Sequence, residues 1–87
     1  MDLEFSSRFR RRLKRKPAQQ REQVKDTLRL MAQNLRHPGL HTHKIQGTQG
    51  VFECYASDAI RVTFQFSQQG RIYLRNNCQH QPVLRFP

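Results

Sequence analysis

The last third of the chain alternates apolar residues with arginine and tyrosine along two short runs. Residues 60–66 and 71–76 carry an apolar side chain at nearly every second position, and between them stand Arg61, Arg71, Tyr73 and Arg75. Because successive side chains of a strand point to opposite faces, these runs predict two strands that share one apolar and one arginine-rich face. A cationic face with aromatic rings is suited to RNA, whose unstacked bases lie readily on such rings.

Two further runs, residues 40–45 and 51–56, also read as short strands. The links between the four runs are short and contain Gly47, Gly50, Ser57-Asp58 and Gly70, which favour turns. This spacing predicts an antiparallel meander. In the 51–56 run, Glu53 and Tyr55 alternate with apolar neighbours and extend the polar face by an acid and a phenol.

The first half of the chain has a helical period. Ser6 or Ser7 can cap a first helix, whose apolar residues recur every four positions at Phe5, Phe9 and Leu13 and which ends near Pro17. A second helix follows, with its apolar side formed by Val24, Leu28, Met31 and Leu35, and His37-Pro38-Gly39 stops it. The two segments predict a helical hairpin.

The order of these elements predicts an α+β fold in two layers. The N-terminal helical hairpin packs on the apolar face of a small antiparallel sheet of three or four strands, and the arginine-rich face stays open. Residues 2–5 could add a stub of strand. With 87 residues there is room for one small domain, and we assign residues 1–87 to it.

Positive charge is concentrated at one place. Sixteen Lys and Arg against six Asp and Glu give a formal net charge of +10, and seven of the sixteen lie in residues 8–16. Such a charge attracts polyanions, either nucleic acid or an acidic protein partner. Seven cations in nine residues exceed what solubility needs, so we expect functional contact.

Two cysteines, Cys54 and Cys78, form no CxxC pair, and the Met1 end lacks the apolar run of a secretory signal or membrane span. We therefore expect a reducing cytoplasm and no membrane association. A zinc site from His41, His43, Cys78 and His80 has suitable ligand types, but its spacing matches no common structural zinc module, so we predict no metal and no cofactor.

Four segments, in order, resemble the RelE/ParE toxin superfamily and are most similar to its YafQ-like mRNA interferases. They are Leu40-His41-Thr42-His43-Lys44-Ile45-Gln46-Gly47, Val51-Phe52-Glu53-Cys54, Arg61-Val62-Thr63-Phe64-Gln65-Phe66 and Cys78-Gln79-His80-Gln81-Pro82-Val83-Leu84. The resemblance spans nearly the whole chain and includes the preceding basic helices. It implies a ribosome-assisted endoribonuclease that cuts messenger RNA without a metal and is held inactive by an acidic antitoxin.

The resemblance also implies site residues. His43 is similar to the loop histidine of the YafQ-like group, His80 to its terminal histidine, and Asp58 more loosely to its acid, so the catalytic set becomes His43, Lys44, Asp58, Arg61 and His80. We expect the sheet face and the first helix to bind RNA, with the tyrosines stacking on bases and the cations contacting phosphates. The RNA-binding residues expected are Arg8, Arg11, Arg12, Lys14, Arg15, Tyr55, Arg71, Tyr73 and Arg75.

Metal-free RNA cleavage needs a base for the 2′-hydroxyl, an acid for the leaving 5′-oxygen and cations for the phosphorane. His43 and His80 could divide the proton transfers around Arg61. The segment after residue 78 departs from the family pattern, with Gln81-Pro82 in place of an acidic pair. Three functions therefore stay open: an mRNA endoribonuclease toxin, a ParE-type gyrase inhibitor, and a non-catalytic module that binds RNA or antitoxin.

Overall fold

The computed structural model of the chain describes residues 2–79 and Pro87. This part of the chain forms two helices on one side of a five-stranded sheet, as the sequence predicts for an α+β fold. The elements are β1 (Leu3–Phe5), α1 (Ser7–Lys14), α2 (Ala18–Gln33), a 3-10 turn (Pro38–Leu40), β2 (His43–Lys44), β3 (Phe52–Tyr55), β4 (Ile60–Phe66) and β5 (Ile72–Gln79).

Helix α1 begins at the predicted cap. The Ser6 hydroxyl accepts a hydrogen bond from the Phe9 amide at 3.0 Å, which satisfies one of the otherwise unpaired N–H groups of the first turn. Phe9 is fully buried, and its ring lies 5.7 Å from that of Phe5. Helix α1 ends at Lys14, with Arg15 as its C-cap, shortly before Pro17, which disfavours a helical conformation at Lys16, the residue that precedes it.

Helix α2 buries Val24, Leu28 and Met31, as expected from the sequence, and also Thr27; the fourth expected residue, Leu35, lies beyond the end of the helix and is partly buried. It ends four residues before the expected stop at His37, because Asn34 leaves the helical conformation (φ −157°, ψ 91°). The Asn34 side chain accepts a hydrogen bond from the Arg36 amide at 3.2 Å. Asparagine side chains that bond to nearby backbone compete with the helix in this way.

The sheet has the strand order β1-β5-β4-β3-β2 and is mixed. The sheet therefore has one strand more than the three or four antiparallel strands predicted. The N-terminal stub forms this additional strand, β1, which pairs in parallel with β5. The Ile72 amide donates to the Asp2 oxygen and the Ser6 amide to the Leu74 oxygen, each at 3.0 Å. Three residues suffice here because β5 supplies the partner groups along a ready-made edge.

Strand β2 is much shorter than the predicted run 40–45. Leu40 belongs to the 3-10 turn, and His41 adopts a left-handed conformation (φ 50°) that no extended strand can contain. Strand β5 reaches Gln79 rather than Asn76, and a register shift lies between Thr63 and Phe64 where β4 pairs with it. Such a bulge re-aims the side chains beside it.

The core lies between the helices and the sheet. Cys54, Val62, Phe64, Ile72 and Leu74 fill the helix-facing side, as the alternation predicts, and pack against α1 and α2. Burial of each large apolar side chain contributes roughly 1.5 to 3 kcal/mol. Among the described residues, no helix is long and apolar enough to cross a membrane. The opposite side of the sheet carries the polar residues.

Candidate functional site

Arg61 lies at the start of β4, and it is nearly buried, with 8% of its surface exposed. Its Nε is 3.2 Å from Oε1 of Glu53, which has no exposed surface. Its Nη1 donates to the carbonyl oxygens of Ser57 at 2.7 Å and Asp58 at 2.8 Å. The turn before β4 and a buried carboxylate thus hold the guanidinium in one orientation.

Tyr55 lies directly opposite Arg61 in the β3–β4 pair. The Arg61 guanidinium carbon sits 3.6 Å from the centre of the Tyr55 ring, a close cation–π contact. The His41 ring also packs against Tyr55, with a centroid distance of 4.9 Å. An RNA base that stacks on Tyr55 would therefore share the ring with two side chains already in contact with it.

His43 is half exposed and stands beside this group. Its Nδ1 is 2.9 Å from the His41 carbonyl oxygen, which can only accept, so Nδ1 carries the proton and Nε2 is the basic atom of the neutral ring. Nε2 lies 3.8 Å from Glu53 Oε1. The His43 ring is also 6.3 Å from the Tyr55 ring. We name this set, His41, His43, Glu53, Tyr55 and Arg61, the Arg61 cluster.

Further along the same face, Arg75 is half-buried and bonds to polar neighbours. Its Nη1 donates to Gln65 Oε1 at 2.5 Å, and its Nε donates to the main-chain oxygen of Pro87 at 3.2 Å. The Thr63 hydroxyl donates to the same Pro87 oxygen at 2.7 Å. Thr63 and Asn76, neighbours in the β4–β5 pair, have no exposed surface. The centre of this face is therefore more covered than the sequence predicts.

Helix α1 lies along the part of β5 that continues beyond β1. Arg8 Nε donates to the Arg75 oxygen at 3.3 Å, and Lys16 Nζ donates to the Asn77 oxygen at 2.7 Å. These two side chains therefore satisfy main-chain oxygens at the edge of β5. Burial, and after it the charges of Arg75 and Arg12, lower the pKa of Arg8, and burial is also the main cause that lowers the pKa of Lys16. We name Arg8, Arg12, Lys16 and Arg75 the basic flank.

Tyr73 lines a shallow cavity of about 230 Å³ together with Ser6, Arg8 and Arg75. This is where a predicted aromatic residue and two predicted RNA-binding arginines come together. A second cavity, of about 460 Å³ and with four cations in its lining, lies at the α1–α2 junction; its lining is Arg11, Arg12, Arg15, Lys16, Pro17 and Gln20. Lys14 lines a third, between the two helices.

Two predicted site residues, Lys44 and Arg71, lie apart from Arg61. Lys44 stands opposite Phe52, on the helix side of the sheet, whereas His43 stands opposite Glu53. Arg71 is at the far end of the β4–β5 pair and forms ion pairs with Asp2 and Glu4. Asp58 is exposed, and its contact with Arg61 is made by its main-chain oxygen. The position of His80 lies outside the described residues.

Within residues 2–79 and Pro87, no group of three or more His, Cys, Asp or Glu side chains is arranged to hold a metal ion. Sequence reasoning did not select Thr63, Gln65 or, except as a zinc ligand, His41. Thr63 and Gln65 share the alternation with Arg61, so the pattern alone could have found them. The left-handed backbone of His41 has no such signal.

Comparison of the sequence with protein-family models and with curated proteins gives no match. The fold, in contrast, matches solved structures. The YoeB/ParE toxin from Agrobacterium tumefaciens has a TM-score of 0.76 at 15% identity, over 92% of this chain and 99% of that one. YafQ from E. coli BL21(DE3) has a TM-score of 0.75 at 16% identity, over 94% and 96%.

A chain of the intact E. coli RelBE toxin–antitoxin complex matches with a TM-score of 0.70 at 17% identity, over 91% of this chain and 95% of that one. These likenesses extend over almost the full length of both partners in each comparison. They agree with the resemblance found in the sequence segments. The chain therefore has the fold of the RelE, YafQ and YoeB/ParE toxins.

Proposed function

We propose that the chain is the toxin of a type II toxin–antitoxin pair, a cytoplasmic endoribonuclease that cuts messenger RNA on the ribosome without a metal. The observation that carries the proposal is the Arg61 cluster on a RelE-type fold. There a histidine with a defined tautomer, a tyrosine and an arginine meet on one sheet face. Fold alone does not assign chemistry, so the proposal depends on these side chains.

In the proposed reaction, His43 Nε2 takes the proton from the 2′-hydroxyl, which then attacks the adjacent phosphorus. Proton uptake turns the contact between His43 and Glu53 into an ion pair, so the new charge forms beside a carboxylate. Arg61 keeps that carboxylate in place. His80 is the proposed acid for the leaving 5′-oxygen, and Arg75 supplies positive charge toward phosphate oxygens. The roles of Lys44 and Asp58 remain predictions from the sequence likeness.

The basic side of α1 is proposed to hold ribosomal RNA. Arg11, Arg12, Lys14 and Arg15 are exposed along the helix, where undirected positive charge gives affinity without reading a sequence. The groove between α1 and α2, a cavity of about 630 Å³, has apolar Leu13 in its lining between several cations. These features fit an acidic antitoxin segment, which would compete with RNA for the same charges.

Single-turnover cleavage of ribosome-bound message tests the reaction. His43→Asn should slow cleavage by about a hundred-fold or more, as expected when a general base is removed. His80→Ala should have an effect of the same order. His37→Asn is the matched control, because His37 lies at the 3-10 turn and asparagine can still accept the Gly39 amide. Cleavage by His43→Asn within a few-fold of the parent would exclude the assigned base.

One observation favours a second candidate. Glu53 compensates Arg61, the guanidinium is almost buried, and so little of its charge is left for a phosphate. A non-catalytic role, as a ParE-type gyrase inhibitor, would be compatible with that. DNA gyrase supercoiling measured beside the ribosomal cleavage assay separates the two. Activity in neither would leave a module that binds RNA or antitoxin without chemistry.

A further inference from the structure

Two donors on the polar face of the sheet converge on one oxygen. The Thr63 hydroxyl and the Arg75 Nε bind the main-chain oxygen of Pro87 at 2.7 and 3.2 Å. Pro87 is distant in sequence from both donors. A hydroxyl and a guanidinium that point at the same place form a typical oxyanion site, because each supplies an N–H or O–H and the arginine adds charge.

Both donors are held in position by the sheet. Thr63 has no exposed surface and lies between Glu53 of β3 and Asn76 of β5 in the register. Arg75 is anchored at its other end by Gln65 Oε1, at 2.5 Å from Nη1. The acid nearest to Thr63 in the register is Glu53, and its charge is paired with Arg61. The site is therefore preorganised for an oxygen ligand and is not dominated by the neighbouring carboxylate.

We propose that Thr63 and Arg75 form a subsite for a phosphate oxygen of single-stranded RNA, and that the main-chain oxygen of Pro87 fills this subsite until RNA displaces it. The inference rests on the proposed RNA-directed function and adds to it a binding residue, Thr63, and an internal competitor, Pro87. The main-chain oxygen of Pro87 and an RNA phosphate oxygen can replace each other here because the two donors recognise only an oxygen acceptor.

The position of the subsite relative to the Arg61 cluster indicates which phosphate of the RNA it would bind. Thr63 is two residues from Arg61 on the same face of β4, a separation of about 7 Å along a strand. A phosphate oxygen bound at Thr63 therefore lies beside the Arg61 cluster and not within it. The subsite would hold a phosphate next to the one that is cut, and so position the message across the sheet.

The experiment measures the affinity for a fluorescent single-stranded RNA whose 2′-hydroxyls are methylated, which blocks cleavage by 2′-hydroxyl attack. Fluorescence anisotropy compares the parent with Thr63→Val, which keeps the branched shape and removes the hydroxyl. Thr27→Val is the matched control, because its hydroxyl bonds to the Gln23 oxygen within α2. Thr63→Val should weaken binding roughly three- to ten-fold, the usual effect of one lost hydrogen bond, and Thr27→Val should not.

Two further variants test the charge and the competitor. Arg75→Gln should weaken binding more than Arg71→Gln, which removes the same charge at the far end of the strand pair. A variant that lacks residues 86–87 should bind the RNA a few-fold more tightly than the parent. In a Thr63→Val background the same truncation should have less effect, because the shared subsite has already been weakened.

Inorganic phosphate gives a readout that does not depend on RNA. In the variant lacking residues 86–87, phosphate should shift the Thr63 amide resonance at lower concentration than in the parent. If phosphate leaves that resonance unmoved, or if RNA binds equally well to the parent and to Thr63→Val, the subsite is overturned although the toxin function stands. If the parent neither binds nor cuts RNA while phosphate still shifts Thr63, the proposed function fails and the anion site remains.

Discussion

The Arg61 cluster and the basic flank occupy two parts of one molecule and treat their charges differently. Arg61 is buried against Glu53, Tyr55 and two carbonyl oxygens. Arg8 and Arg75 of the basic flank lie close enough for each charge to oppose the other, and their described hydrogen bonds go to oxygens of Gln65, Pro87 and Arg75 rather than to acidic side chains. Compensated charge defines geometry, whereas surplus charge attracts a ligand.

The charges near the two cysteines affect the pKa values of their thiols differently. Burial, and after it the neighbouring Glu53 charge, together raise the pKa of the Cys54 thiol to about 12. Burial also raises the pKa of Cys78, but there the charges of Arg12, Lys16 and Arg8 act in the opposite direction. The neighbouring charges therefore shift the pKa values of the two thiols in opposite directions, whereas burial raises both.

The largest expected difference between the two regions is in stability. Arg61→Met removes the partner of a buried carboxylate, and we expect the free energy of unfolding to fall by about 3 to 5 kcal/mol. Arg75→Met leaves no buried acid behind, and its cost should stay below about 1 kcal/mol. Urea unfolding followed by circular dichroism measures both.

A control separates the charge from the loss of packing. In Glu53→Gln the buried carboxylate is absent, so a second change of Arg61→Met should cost clearly less than it does in the parent. Equal costs of Arg61→Met in both backgrounds would show that the ion pair does not hold this region together. The contrast between the two arginines would then be one of burial alone.

The difference between these arginines also marks the limit of sequence reasoning. Strict alternation correctly assigns Val62, Phe64, Ile72 and Leu74 to the core, because burial selects one face of a strand. Helix α1 was predictable from a cap and a four-residue period. Patterns of this kind depend only on residues that are close in the sequence, and the structure confirms the elements that they predict.

The short links predict which strands are neighbours, but neither they nor the alternation give the register between strands, and the site depends on that register. Glu53 neutralises Arg61 because β3 pairs with β4, and Arg71 is remote because β4 and β5 run antiparallel. These are consequences of long-range pairing, for which single residue types carry little signal.

The second prediction concerns pH and tests whether burial of Cys54 keeps its thiol protonated in the folded protein. In the unfolded chain this thiol ionises near pH 9.0, and in the folded protein only at about 12. Above pH 9 the folded state therefore holds the proton more strongly than the unfolded chain does. The contribution of this thiol to the free energy of unfolding is fully present below that pH and falls by about 1.4 kcal/mol per pH unit above it.

Urea unfolding at about pH 8 and about pH 10 in the parent and in Cys54→Ala isolates this contribution, because all other titrating groups are common to both. The alanine variant should be less stable at the lower pH and should lose less on going to the higher one. Parallel losses in both proteins would contradict the burial of the thiol proton.

The third prediction concerns salt and the surplus charge. Arg12→Gln should weaken binding of the methylated RNA and reduce the slope of log affinity against log salt by about one, as expected for one lost phosphate contact. Between about 50 and about 200 mM salt this slope change amounts to roughly four-fold. Arg36→Gln, an equal loss of charge beyond the end of α2, is the control. Identical slopes for the two variants would mean that α1 acts only through net charge.

The smallest expected effect uses Cys78 to sense the basic flank. Arg12 is the largest of the charges that lower the pKa of this thiol, so Arg12→Gln should raise the pKa, reduce the thiolate fraction and slow alkylation by iodoacetamide by roughly two- to three-fold. Cys54 should stay unreactive in both proteins, because it is fully buried and beside Glu53. Mass spectrometry of the two cysteine-containing peptides follows each site separately. An unchanged rate at Cys78, with Arg36→Gln as reference, would show that the charges of α1 are screened from β5, and the contrast between the two regions would then concern only Arg61.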